Sequence, residues 1–265
     1  MTTMLARRLW FEAKEGRRKF VGQAGLTEFE QPLVILGEAG LGKTRLMEWL
    51  AQSHGYTFCS ARKLVSTPAP QSLLGAAQVL VIDALDEMNT QRGGDSVDAV
   101  LGQLALAGYP RFVLACRVAD WRSATGLQAI SEHYAAQPLE LHLMPFQDDE
   151  IIAFLIDKLG GAIEAERVHR HFVDRGLGDL LGNPQTLGMV ATVAAKGALP
   201  DTQTELFERA TDLLRREHRD AKAADQPSES AGLDAAGAAC ARTGPAAHRR
   251  RQPSRGRRST AGRLG

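Results

Sequence analysis

Cysteine is scarce in this chain. The 265 residues hold three, Cys59, Cys116 and Cys240, spaced too widely for a disulfide framework or a zinc site. Cys59 and Cys116 fall in apolar runs, where a thiol is most simply a small buried hydrophobe. Long apolar stretches are missing as well: nothing approaches the length of a membrane span, and the opening MTTMLARRLWFEAKEG has no segment of signal-peptide length. These absences exclude a disulfide-stapled domain and a helical membrane protein, and they lead us to expect a cytoplasmic chain with no membrane partner. Acidic residues are absent from Arg242 onward, where eight arginines stand; against a net charge of +1, the part before them therefore carries −7. A mildly acidic body argues against a broad nucleic-acid-binding face there, leaving the basic tail as the one place for such a partner.

What is present is more specific. GEAGLGKT, Gly37 to Thr44, fits the phosphate-binding pattern G-x-x-x-x-G-K-[ST] at every fixed position. Its context is a strand and a helix. Pro32 to Leu36 is a short unbroken apolar run, as in a strand buried on both faces, and Arg45 to Gln52 places Leu46, Met47 and Leu50 at helical spacing. Glycines let the backbone close on a phosphate, and the following helix adds the positive end of its dipole. The candidate nucleotide-binding positions are Gly37, Glu38, Ala39, Gly40, Leu41, Gly42, Lys43, Thr44 and Arg45. Lys43 supplies a point charge for the β/γ oxygens, and the Thr44 hydroxyl is placed for a magnesium ion.

A second apolar strand ends in acid. In VLVIDALDE, Val79 to Glu87, Asp83 emerges at the carboxyl end of the run, where ligands bind in open α/β sheets. Asp83 is the candidate second magnesium ligand, and Asp86 or Glu87 could orient or deprotonate an attacking water. Phe112 to Cys116 is a further apolar strand with Arg117 at its end. That arginine either reads a γ-phosphate or pairs with Asp120. In Leu139 to Leu143 apolar and polar residues alternate, and His142 falls on the wet side of the strand.

The expected architecture is α/β, a three-layer sandwich of the P-loop NTPase kind with a parallel sheet, followed by an all-helical subdomain and a disordered tail. Residues 1–31 are expected to form an N-terminal helical segment in which Arg7, Arg8, Arg17, Arg18 and Lys19 lie on solvated faces. The NTPase core covers 32–146. A helical lid covers 147–220, with helices near 150–159, 163–174, 184–196 and 202–217, the third opened by Asn183 and Pro184 in cap-then-proline order. Gly93, Gly94 and Asp95 are expected to form a turn. Residues 221–265 are rich in Ala, Gly, Ser, Pro and Arg, a composition too poor in apolar residues to offset chain entropy. They are either a basic arm or the end of a truncated or frame-shifted gene, and the composition fits the second better.

Taken in order, these motifs resemble the NACHT group of STAND nucleotide-binding switch ATPases in their bacterial form, from about Pro32 to Arg216. GEAGLGKT stands as Walker A and VLVIDALDE as Walker B with an extra acidic pair. FVLACR stands as the sensor strand, and LMPFQDDEIIAFL and GNPQTL, with LPDTQTELFERATDLL after them, as the helical markers. The resemblance implies ATP and ADP as ligands with Mg2+, Pro184 against the base or ribose, slow hydrolysis, a homo-oligomer on activation, and a protein trigger or effector. Bacterial relatives serve in antiphage defence. The chain departs from the family plan in showing neither an effector before the ATPase nor room for a sensor after it. A non-hydrolysing nucleotide-dependent scaffold and an AAA-type motor acting on nucleic acid are the alternatives.

Overall fold

The computed structural model describes residues 5–13, 15–88, 96–123, 126–134 and 137–224. The expected turn at 93–95, Cys240 and the tail from 225 lie outside them. The chain divides into a unit Met1–Glu217, which holds the sheet and the helices up to the start of the last one, and a unit His218–Gly265, of which the described part is the end of that long helix.

Three strands follow the sequence pattern closely. β3 (Leu33–Leu36), β5 (Val79–Asp83) and β6 (Arg111–Cys116) are apolar and almost wholly buried, as strands covered on both faces must be. With β4 (Thr57–Ser60) and β7 (Leu139–Leu143) they form the parallel part of a seven-stranded sheet completed by β1 (Arg8–Glu12) and β2 (Arg18–Gly22), in the order β2-β1-β7-β3-β6-β5-β4. The period of two in β3 builds the layers. Leu33 and Ile35 face one core with Leu46, Met47 and Leu50 of α1 (Lys43–His54). Val34 and Leu36 face the other, with Leu64 of α2 (Ala61–Ser66) and Val97, Val100 and Leu101 of α4 (Ser96–Leu106). Each such buried aliphatic side chain contributes about 1.5–3 kcal/mol. A short α3 (Gln71–Leu74) precedes β5; α5 (Val118–Ser123) and α6 (Gly126–His133) join β6 to β7.

The N-terminal segment corrects the sequence expectation. In place of helices it forms a hairpin, β1 (Arg8–Glu12) and β2 (Arg18–Gly22), closed by Ala13 N–H donating to the Arg17 carbonyl at 2.8 Å and followed by a 3-10 turn, Gln23–Glu28. β1 adds antiparallel to β7, pairing Leu9 with Leu143 and Trp10 with His142. The sheet is therefore mixed rather than wholly parallel. The reason is tertiary: the backbone edge of β7 needs a ladder, and RLWFE turns Leu9, fully buried, and Phe11, partly buried, toward the core. The same pairing covers His142, which stacks face to face on Trp10 at 4.0 Å, with the Arg18 guanidinium 4.3 Å over the other ring system of that pair. His142 is thus half-buried where the alternation had placed it in solvent.

After β7 the described chain is helical. α7 (Asp148–Leu159), α8 (Ala162–Asp174), a short α9 (Gly178–Leu181), α10 (Pro184–Ala194) and α11 (Gln203–Ala224) enclose a core of Phe146, Leu155, Val168, Phe172, Leu187 and Leu206. α7 starts with Gln147 N–H donating to Glu150 at 2.8 Å. α11 continues to residue 224, four residues into the segment expected to be tail.

Candidate nucleotide site

The parallel strands carry the site at their carboxyl ends. β3 runs into Gly37, β6 into Arg117 and β5 into Asp83, with β6 lying between the other two. Adjacent strands are about 4.8 Å apart, so the phosphate loop and the Asp83 strand are separated by about 10 Å. Arg117 leaves the intervening strand and is exposed, and Gly37 N–H donates to the Cys116 carbonyl at 3.3 Å, fixing the loop to that strand.

Gly40 and Gly42 carry the loop's sharp turns, with φ of +79° and +88°, a region costly to residues with a side chain. Gly42 is also the N-cap of α1, so the helix starts at Lys43 with no side-chain cap on its first N–H groups. Such a terminus is an anion site. The Lys43 ammonium donates to the carbonyls of Gly37 at 2.7 Å and Glu38 at 3.0 Å, arching back over the loop. Glu38, Ala39, Thr44 and Arg45 are exposed, Arg45 lying 3.6 Å from Glu48, while Leu41 turns inward and is buried.

Asp83 ends β5 with 6% of its surface exposed. The next residue, Ala84, takes a φ of +61°, a strained value for a residue with a Cβ, and this bend turns the chain into the 3-10 segment Leu85–Met88. Asp86 and Glu87 lie on that segment; their side chains are outside the described residues.

The helical part reaches the loop directly. Asn183 caps α10, its side-chain oxygen accepting from Gln185 N–H at 3.0 Å and Thr186 N–H at 3.3 Å, while its amide donates to the Ala39 carbonyl at 2.9 Å. Gln185 N–H donates to the Gly40 carbonyl at 3.3 Å. A cavity of about 460 Å³ opens beside this contact, lined among others by Gly40, Gly42, Phe146, Phe154 and Pro184. Arg45 and Pro184, both expected to be nucleotide-binding, meet there.

Arg7 is the residue sequence reasoning misplaced. Read as part of a solvated basic face, it is 4% exposed and lines the same cavity. Its Nη2 donates to the carbonyls of Leu41 at 3.1 Å and Met144 at 2.6 Å, and its guanidinium lies 4.2 Å above the Phe146 ring. Burial pulls its pKa down to about 10, with the Glu150 charge opposing that shift. The only sequence cue was its place one residue before the Leu9-bearing strand. Arg8, next to it, points out to Asp149 at 2.9 Å and Glu150 at 3.1 Å.

No protein-family model and no curated protein matches this chain. Among solved structures it is similar to AMPPCP-bound DnaA from Aquifex aeolicus, at 16% identity and a TM-score of 0.38, covering 75% of this chain and 64% of that one. The Walker-type ATPase PABY2304 of Pyrococcus abyssi aligns at 13% identity and a TM-score of 0.47, over 77% of this chain and 75% of that one. Domain III of the Thermotoga maritima replication initiation protein DnaA aligns at 14% identity and 0.42, over 72% and 87%. Among the described residues no helix is long and apolar enough to cross a membrane. With its loop at the end of β3 and its acidic strand one strand removed, the chain has an α/β, P-loop NTPase-like fold.

Proposed function

We propose that this chain binds ATP with magnesium and acts as a slow, regulated nucleotide switch of the NACHT type. The observation that carries the reading is the pair of hydrogen bonds from Asn183 and Gln185 to the carbonyls of Ala39 and Gly40. They tie the first turn of a lid helix to the loop that would hold the β- and γ-phosphates. A ligand that moves the loop therefore moves α10, the kind of bistable contact on which a switch depends.

In this reading Gly40, Gly42 and the first N–H groups of α1 cradle the phosphates, and Lys43 trades its two loop carbonyls for phosphate oxygens. Thr44 and Asp83 supply hard oxygen donors of the sort magnesium takes alongside phosphate and water. The metal would neutralise charge on the transferring phosphoryl group. Asp86 or Glu87 holds the attacking water, Arg117 senses the γ-phosphate, and Pro184 contacts the nucleoside. A role in antiphage defence, a cytoplasmic location and assembly on activation belong to the same proposal and rest on the resemblance in GNPQTL and the motifs before it.

The test is the nucleotide that co-purifies with the protein, released by denaturation and resolved by chromatography, with turnover measured on the same sample. Stoichiometric ADP and very slow turnover are expected. An empty site with brisk multiple turnover would overturn the switch, and absence of both nucleotide and turnover would overturn the ATPase.

A further inference from the structure

The cavity beside the phosphate loop has a charged wall that the fold leaves partly unsatisfied. Arg7 is buried, and only its Nη2 finds acceptors, the carbonyls of Leu41 and Met144. Its Nε and Nη1 are buried with no hydrogen-bond partner among the described residues. An arginine carries five N–H donors and no acceptor, and it keeps its charge at neutral pH, so these donors cannot be silenced by losing a proton. Phe146 receives the face of the guanidinium and so supplies no in-plane acceptor for Nε and Nη1. Buried donors in this condition are costly, and their presence in a cavity wall points to a ligand that brings acceptors.

The cavity defines what that ligand is. Its volume of about 460 Å³ lies within the usual range for small-molecule sites. Its lining includes the loop at Gly40 and Gly42 and the apolar side chains of Leu5, Phe146 and Phe154, with Arg45 and Lys158 as further cations. A triphosphate seated on the loop sends its nucleoside into this space, which suits a flat, largely apolar ring with acceptor lone pairs.

We propose that Arg7 is a specificity-determining residue of the nucleotide site, donating hydrogen bonds to ring-nitrogen acceptors of a purine base held in this cavity. The assignment rests on the nucleotide-site reading given above. Arg7 lines the cavity while its Nε and Nη1 are buried, so binding of the base includes a rearrangement of the wall that brings them to it. Because the guanidinium has no acceptor, it rewards ring nitrogens and ignores amino groups, and it does so from β1, outside the phosphate loop altogether. Phosphate binding and base reading are then separable functions of separate segments.

The separation gives the test. Isothermal titration of wild type, Arg7→Gln and Arg7→Lys, each stripped of co-purified nucleotide, would be run with ATP and with inorganic tripolyphosphate, alongside thermal unfolding. Arg7→Gln is expected to bind ATP about ten- to a hundredfold more weakly while tripolyphosphate binding is unchanged. Equal losses for both ligands, or no ATP loss in a folded variant, would overturn the role of Arg7. Wild type that binds neither ligand would overturn the nucleotide site itself. Should Arg7→Gln fail to fold, Arg7→Lys keeps the charge for the Leu41 and Met144 carbonyls without the planar fork, and the same selective loss is expected. A measurement on wild type alone needs no variant: among 1-deaza-, 3-deaza- and 7-deaza-ATP, at least one should bind about tenfold more weakly than ATP. Affinities equal to ATP for all three would overturn the proposal.

Discussion

The side-chain amide of Asn183 donates to the carbonyl of Ala39 across 144 residues of sequence, at 2.9 Å. The same side chain caps α10 through its oxygen, so one residue both starts that helix and holds the Gly37–Thr44 loop. The two duties can be divided. Asn183→Asp keeps an oxygen for the cap and loses the donor to Ala39, while Asn183→Ala loses both. Loss of the cap costs about 1 kcal/mol, roughly 2–4 °C in Tm for a protein of this size. Thermal unfolding should therefore fall for Asn183→Ala and less for Asn183→Asp, whereas the dissociation rate of bound nucleotide should rise in both. A wild-type dissociation rate in Asn183→Asp would show that the contact with Ala39 does not transmit the state of the loop.

Gly40 is fixed by two independent demands. Its φ of +79° disfavours any Cβ, and a Cβ built there would sit 2.6 Å from the Asn183 side-chain oxygen and 2.7 Å from that of Gln185. The backbone conformation alone costs about 1–2 kcal/mol for alanine. The Gln185 side chain can swing away, but Asn183 is held by its cap bonds, so Gly40→Ala should push α10 off the loop. The expected result is a lower Tm together with weaker binding of tripolyphosphate. Full affinity for tripolyphosphate would mean that the loop tolerates the displaced helix.

How much of this could be read from sequence depends on how local each cause is. β3, β5 and β6 were legible because a strand covered on both faces must be apolar throughout, and the loop was legible because its glycines, lysine and threonine each answer a local demand. The hairpin of β1 and β2 was not, because RLWFE becomes a strand only when the edge of β7 is there to pair with it. Arg7 was missed for the same reason. A basic residue among charged neighbours reads as solvated, and only the approach of two distant segments, Leu41 on one and Met144 and Phe146 on the other, buries it. The bend at Ala84 could not be foreseen either, since an alanine gives no sign that its φ will be positive.

Burial of Cys59 leads to a chemical expectation. Its thiol pKa is pushed up to about 11 by desolvation, with Lys63 pulling weakly the other way, so at pH 8 it stays protonated and inert. Cys116 is equally inaccessible, 1% exposed at the end of β6. In a Cys240→Ser variant, which leaves these two thiols, a disulfide reagent at pH 8 should label essentially nothing until denaturant is added, and then two equivalents. Rapid labelling of one thiol in the native protein would mean that β4 or β6 opens on the timescale of the reaction.

Surface charge at the join of β1 and α7 should matter little. Arg8 contacts Asp149 and Glu150 but is 44% exposed, and pairs of this kind contribute roughly 0–1 kcal/mol. Arg8→Ala should shift Tm by no more than a few degrees, with the difference shrinking in high salt. Its neighbour supplies the contrast: Arg7→Ala removes a buried side chain with two carbonyl acceptors and a ring partner, and should lower Tm clearly more. Equal effects from the two substitutions would contradict the burial assigned to Arg7.

Binding and hydrolysis should separate along the sheet. Lys43 stands on the loop and Glu87 beyond β5, two strands away, so substitutions there act on different steps. Lys43→Ala removes a charge-assisted contact of about 1.5–3 kcal/mol to phosphate, one to two decades in ATP affinity. Glu87→Gln removes a base and leaves the loop intact, so ATP affinity should hold while turnover falls by about 10²- to 10⁴-fold. Asp86→Asn serves as the control for which of the two acids holds the water. If Glu87→Gln turns over at the wild-type rate and Asp86→Asn does not, the base is Asp86. If both turn over normally, the water is positioned from elsewhere, and Arg117 at the end of the strand between loop and acid becomes the next residue to change.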